Sequence, residues 1–355
     1  MDAFYVAVEL LRHPELRGKP VIVAGTGPRA VVTTASYEAR PFGVGSAIPV
    51  AVAKRRCPDV VHLPVDMAHY RERSAAVIEL VAELGVPTEP LSLDEVYLDL
   101  SPVSDPVARM SGLVRRIRER VELDASVGIG PNKLVAKVAS DAEKPRGFVV
   151  MTREQAVERF AGAPVRLAPG IGPKTAERLR GYGVETLGQL QRCTLPGLIE
   201  RFGPTHGRAL QDRAHFRSDD PVTSDREVKS RSVETTFDRD ISELEALERI
   251  LTGQSERLAE TLRDRDLAGR TIAIKVRLDD WTTVTRAHTI DAVTDDPATI
   301  AAEARALLRA YAPPRPVRLL GVRVSSFEGG GSAPRRQPEA TPSLLGDDRA
   351  ASWSS

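Results

Sequence analysis

The stretch Thr271-Ile-Ala-Ile-Lys-Val-Arg-Leu278 sets the tightest limit on what this chain can fold into. It alternates with period two, so Ile272, Ile274, Val276 and Leu278 share one face while Lys275 and Arg277 share the other. That pattern demands a strand with one buried face and a basic outer face. Leu320, Val322 and Val324 alternate in the same way against Arg323, whereas Leu244, Leu247, Leu251, Leu258 and Leu262 recur with helical spacing between 242 and 263. Glu243, Glu245, Glu248, Glu256 and Glu260 put acid on that helix. Residues 231–328 therefore read as a small α+β domain, positive on an open sheet face and negative on its helices.

Composition limits the partners of such a face. The 50 Lys and Arg are offset by 49 Asp and Glu, a net charge of +1, so any basic surface must be local. A length of 355 residues predicts several domains. No apolar run approaches the roughly 18 residues of a membrane span, so no membrane association is expected. Cys57 and Cys193 stand far apart, which argues against a disulfide framework or structural zinc and fits a reducing cytoplasm. Acidic residues occupy the N-terminus where a secretory signal carries Lys or Arg. Residues 329–355, rich in Gly, Pro, Ser and Ala, are expected to be disordered.

The first 150 residues mix strand-like segments (20–24, 30–34, 96–100, 126–129) with helical ones (68–84, 103–122, 132–141), which predicts a mixed α/β or α+β core. Within Leu91-Ser-Leu-Asp-Glu-Val-Tyr-Leu-Asp-Leu100, Asp94 and Glu95 open an apolar alternating strand. At a turn both carboxylates reach one hard cation such as Mg²⁺; the alternative is a solvated acidic turn. In Thr33-Thr-Ala-Ser-Tyr-Glu-Ala-Arg40, Tyr37 and Arg40 are three apart and are expected to share a helix face, where hydroxyl and guanidinium suit phosphate oxygens; a solvent-facing arginine is the bland reading. Gly128-Ile-Gly-Pro-Asn-Lys133 runs through Lys137 to Lys144-Pro-Arg-Gly147, with Lys144 at a helix end stopped by proline. Pro169-Gly-Ile-Gly-Pro173 joins two short helices, either as an ordinary turn or as backbone N–H groups facing a phosphate.

Taken in order, Asp-Ala-Phe-Tyr, Ser-Tyr-Glu-Ala-Arg, Leu-Ser-Leu-Asp-Glu-Val-Tyr-Leu-Asp, Ser-Val-Gly-Ile-Gly-Pro-Asn-Lys, Lys-Pro-Arg-Gly and Pro-Gly-Ile-Gly-Pro-Lys-Thr resemble the Y-family DNA polymerases of the DinB type over residues 1 to about 328. The resemblance implies an α+β right-hand polymerase. Its ferredoxin-like palm would take residues 1–3 and 66–151, small fingers 4–65, a helix-hairpin-helix thumb 152–225, a linker 226–230 and a little finger 231–328. It implies template-directed, error-prone translesion synthesis on primer-template DNA from dNTPs by a monomer in the cytoplasm, with two Mg²⁺ ions. Asp94 and Glu95 would be the catalytic metal ligands. Tyr37 and Arg40, with Thr34 beside them and Lys144, would hold the triphosphate, and Tyr5 would be an aromatic steric gate against the ribose 2′-OH. Phe4 is expected in the core. Gly170, Gly172 and Lys174 would contact a DNA phosphate, as would Lys275, Arg277, Arg286 and Arg323. The family's first-motif metal aspartate falls one residue before Met1, which predicts a start further upstream or a poor enzyme, and Asp2, shifted by two positions, is not an evident substitute. It keeps open a non-catalytic DNA-binding paralogue as the alternative, with a ferredoxin-like nucleotide cyclase a distant third. For a sliding-clamp peptide the tail offers only Gln337 and Leu344-Leu345.

Overall fold

The computed structural model describes residues 1–224 and 227–328. The expected tail, its clamp motif and the start of the linker lie outside the described residues. The chain divides into two units: residues 1–17 with 67–224, and residues 18–66 with the segment that follows 224.

In the first unit, two strand pairs carry the functional loops. Thr88–Pro90 runs antiparallel to Val96–Leu98, and Val127–Ile129 runs parallel to Phe148–Val150. The parallel pair needs a crossover, supplied by the helix Lys133–Ala142. That helix starts where the Asn132 side chain accepts the Val135 N–H at 3.0 Å, and it buries Val135, Val138 and Ala139. It lies directly on the strand, because a Cβ at Gly128 would stand 2.1 Å from the Ala136 carbonyl oxygen. The helix Pro106–Val121 begins in the same manner, with Asp105 as cap and proline at its first position, and buries Met110, Leu113, Ile117 and Val121 along one stripe. The first two residues bond the segments that lead into Val96–Leu98 and Val127–Ile129: the Met1 ammonium donates to the Asp94 carbonyl at 2.6 Å and the Asp2 N–H to the Asp124 carbonyl at 3.0 Å. Residues 153–214 form five short helices around Leu179, Leu187, Leu190, Leu198 and Leu210, in one core with Val135 and Val138.

In the second unit, residues 18–66 build a three-stranded sheet ordered Val32–Ala35, Val21–Ala24, Val61–Leu63. Its core is its own, with Ile22, Val32, Ala53, Cys57 and Val60. The strand expected at 30–34 is present as Val32–Ala35, but the helix face expected for Tyr37 and Arg40 is absent: residues 37–39 turn, and a single 3₁₀ turn covers Arg40–Phe42. Strand pairing of 32–35 satisfies backbone groups that a helix would have needed, and Pro41 forbids continuation as an α-helix. The C-terminal segment is a four-stranded antiparallel sheet in the order Thr283–Thr294, Ala268–Leu278, Val317–Glu328, Ser230–Ile241. The helices Leu244–Arg263 and Pro297–Tyr311 pack on one face of it, joined by Leu251, Leu258, Ile274, Val276, Leu308 and Val322. Arg29 ties the two segments of this unit together, donating to the Phe237 carbonyl at 2.9 Å and to the Asp240 carboxylate at 2.6 Å.

Candidate active site

Asp94 and Glu95 sit in the bend that feeds the strand Val96–Leu98. The Ser92 hydroxyl donates to Asp94 Oδ1 at 2.7 Å, and the buried Ser74 hydroxyl fixes the bend by donating to the Leu93 carbonyl at 2.6 Å. Glu95 pairs with Lys137, one turn before Asp141 on the crossover helix. Lys137 also lies 3.1 Å from Asp141, whose other oxygen is 2.6 Å from the Lys144 ammonium. Glu95, Lys137, Asp141 and Lys144 thus form one chain of alternating charge. Burial opposes the charge on Lys137, but its bond to Glu95 and the nearby carboxylates hold its pKa above the ordinary lysine value. Asp141 is half-buried too, and the hydrogen bond from Lys144 with the charge of Lys137 overcomes that and keeps its pKa low.

Asp2 bonds other groups. Its carboxylate, 4% exposed, accepts the Ser126 hydroxyl at 2.8 and 2.9 Å and the Arg146 N–H at 2.8 Å. It secures the strand at 127–129 to the loop after Lys144 and has a structural part.

Tyr5 occupies the second position of the helix Phe4–Arg12. Its ring stacks on Tyr70 with centroids 4.5 Å apart, and the Tyr70 hydroxyl donates to buried Glu9 at 2.6 Å. Burial, then the Asp94 charge, pushes the Tyr5 phenol pKa upward. Phe4 is buried, as expected.

Thr34, Tyr37 and Arg40 lie together in the second unit. Thr34 pairs with Val23 across the sheet, and the Arg40 guanidinium sits 4.0 Å above the Tyr37 ring while its Nε donates to the Ala35 carbonyl at 3.3 Å. The pairing foreseen from helical spacing is realised across a turn instead.

In the hairpin, Gly170 adopts φ +87°, and a Cβ there would stand 2.5 Å from the Arg213 guanidinium, which donates to the Pro169 carbonyl at 2.9 Å. Gly172 precedes the helix Pro173–Arg180 with no side-chain cap, and Lys174 is exposed.

On the C-terminal sheet, the open face away from the helices is made of rows across the strands. One row holds Ala287, Ala273, Arg323 and Ser232; the next holds Thr285, Lys275, Gly321 and Glu234; a third holds Thr283, Arg277, Leu319 and Thr236. Arg323 is exposed. Arg277 bonds the Thr283 hydroxyl at 2.9 Å, and Lys275 is held by Glu234. Arg286 does not belong to this face. It pairs with buried Ile274, and its guanidinium lies 5.2 Å from the Tyr311 ring of the covering helix, so strand parity turns it to the helical side.

Sequence reasoning missed Tyr70, Asp141 and Glu234. Lys137 and Asp141 have the i, i+4 spacing that flags a helical pair; Tyr70 and Glu234 reach their partners across 65 and 41 residues, and no local signal marks them.

The fold and these loops have known counterparts. A solved Y-family DNA polymerase chimera of Dbh and Dpo4 superposes with a TM-score of 0.80, covering 92% of this chain and 97% of its own at 23% identity, a likeness of fold. Residues 1–141 match the impB/mucB/samB family, residues 228–339 its C-terminal domain, and residues 166–214 the thumb domain described as that of DNA polymerase-iota. Among relatives, DNA polymerase IV of Streptomyces coelicolor is 41% identical over 92% of this chain and 70% of its own, and that of Methanoculleus marisnigri 40% identical over 93% of each. DNA polymerase IV of Alkalilimnicola ehrlichii is 42% identical over 92% and 93%. These define a class of DNA-synthesising enzymes with a right-hand fold. The chain belongs to the impB/mucB/samB family, the Y-family DNA polymerases of the DinB type.

Proposed function

We propose that this chain performs error-prone translesion DNA synthesis, adding a nucleotide from a dNTP to a primer 3′-OH at the Asp94–Glu95 bend. The observation that carries the reading is the chain of ion pairs that runs from Glu95, beside Asp94, through Lys137 and Asp141 to Lys144. Two adjacent carboxylates fit Mg²⁺, which keeps waters and substrate phosphates as its other ligands; among the described residues no cluster of three acids, His or Cys forms a closed cage. Bound metal would neutralise charge on the attacking and leaving oxygens of an in-line transfer, with two ions as the usual arrangement.

The protein's own groups do the rest. Lys144 in the first unit and, in the second, Thr34, Tyr37 and Arg40 each supply donors suited to triphosphate oxygens; Tyr5, braced by Tyr70, blocks a 2′-OH; the hairpin at Gly170 and Gly172 with Lys174, and the half-buried Arg277 and exposed Arg323, hold DNA phosphates without reading bases. Such an enzyme works as a monomer in the cytoplasm, within damage tolerance. No helix among the described residues is long and apolar enough to cross a membrane. No observation favours the non-catalytic paralogue. Primer extension with Mg²⁺ on intact and abasic templates tests the reading, and absence of any extension by a chain that binds primer-template ends it.

Two results are expected. Tyr5→Ala raises ribonucleotide incorporation relative to deoxyribonucleotide by at least about tenfold, about 1.4 kcal/mol of lost discrimination, read from single-nucleotide competition. Unchanged discrimination would assign the gate to another side chain. Arg277→Ala combined with Arg323→Ala lowers the magnitude of the log-affinity against log-salt slope by about 0.9 for each lost contact, about 1.8 in all, with sequence preference unaltered. A parental slope in that double variant would leave the open face without phosphate contacts.

A further inference from the structure

The open sheet face proposed to hold DNA carries an acid in the middle one of these three rows. Glu234, on the edge strand, accepts two hydrogen bonds from Lys275, two strands away, at 3.0 and 2.8 Å. The two side chains meet above Gly321, which occupies the strand between them in the same row. No other residue type permits that crossing: a Cβ at 321 would stand 2.6 Å from Glu234 Cβ and 3.0 Å from the Val233 carbonyl oxygen. The pair is only partly screened from water, with side-chain exposures of 36% for Lys275 and 23% for Glu234, and ion pairs so exposed add little stability. On a face whose other outward groups in these rows are Ala, Thr, Ser, Leu and arginine, Glu234 is the one carboxylate.

From this geometry we infer that Glu234 is a built-in counter-charge that withholds Lys275 from DNA phosphate and so keeps the little-finger grip weaker than its cations allow. The inference rests on the reading of this face as a phosphate-binding surface. A carboxylate already satisfying the ammonium competes with phosphate for it and repels the backbone of the duplex as well. Neutralising it frees one cation without altering side-chain size.

Binding of a fluorescent primer-template to the full chain, followed by anisotropy across a salt series, tests this with no requirement for turnover. Glu234→Gln is expected to bind about eightfold more tightly at 0.1 M monovalent salt, with the slope steeper by about 0.9, the signature of one added phosphate contact. Lys275→Gln, which leaves Glu234 unbalanced, is expected to bind more weakly than the parent. Glu234→Gln with Lys275→Gln removes both charges and is expected to return to parental affinity and slope. Parental binding with Glu234→Gln unchanged or weaker overturns this inference alone. A double variant that binds more weakly than the parent and loses about 0.9 of slope also overturns it, because Lys275 would then already touch phosphate. A parental chain without salt-dependent DNA binding overturns both this inference and the reading on which it rests.

Discussion

Asp94→Ala is expected to lower single-turnover nucleotide incorporation by at least about 10³-fold while leaving primer-template affinity within about twofold of the parent. The Asp94 carboxylate is presented by the Ser92 hydroxyl on a bend that Ser74 holds rigid, so its removal deletes one of two hard oxygen donors without disturbing the strand behind it. The transferring phosphoryl group derives several kcal/mol of stabilisation from metal charge, and each 1.36 kcal/mol lost costs about tenfold in rate. The duplex contacts we propose lie on the hairpin and the C-terminal sheet, so affinity should persist. Incorporation at the parental rate by Asp94→Ala would remove this bend from the chemistry.

Gly128→Ala is expected to destabilise the first unit by about 3 kcal/mol or more, seen as a lowered urea midpoint with little change in slope. The new methyl group would stand 2.1 Å from the Ala136 oxygen and 2.3 Å from the Ser140 nitrogen, where ordinary contact is about 3.5 Å. Both obstacles are helix backbone and cannot rotate away, so the crossover helix has to lift from its strand. That helix carries Lys137 and Asp141, and incorporation by the folded fraction should fall with it. A parental midpoint would show that the helix yields at no cost.

Elements whose signal is local were legible in the sequence. The strand at 268–278 announces itself by alternation, and the helix at 133–142 falls in the helical stretch read at 132–141. The carboxylates at 94 and 95 sit in a bend before a strand, the glycines at 170 and 172 between helices, and the cations at 275, 277 and 323 on strands, as their local context indicated. Errors arose where a second segment decides the outcome. Spacing alone could not tell whether Tyr37 and Arg40 meet along a helix or across a turn, since strand pairing with Val21–Ala24 made the choice. The side on which Arg286 falls depends on the register Thr283 to Arg277, set by the intervening turn and invisible in a list of charges. The partner of Lys275 is 41 residues distant, so it was read as a free cation.

The contact of Arg29 with Phe237 and Asp240 also orders events during translation. Residues 18–66 leave the ribosome with a core of their own, but the acceptors for Arg29 belong to a strand made only after residues 67–224. At the usual pace of synthesis that interval is on the order of ten to thirty seconds, far longer than a small sheet takes to form. The early segment therefore has time to fold, its guanidinium in water, before the strand Ser230–Ile241 arrives to claim it.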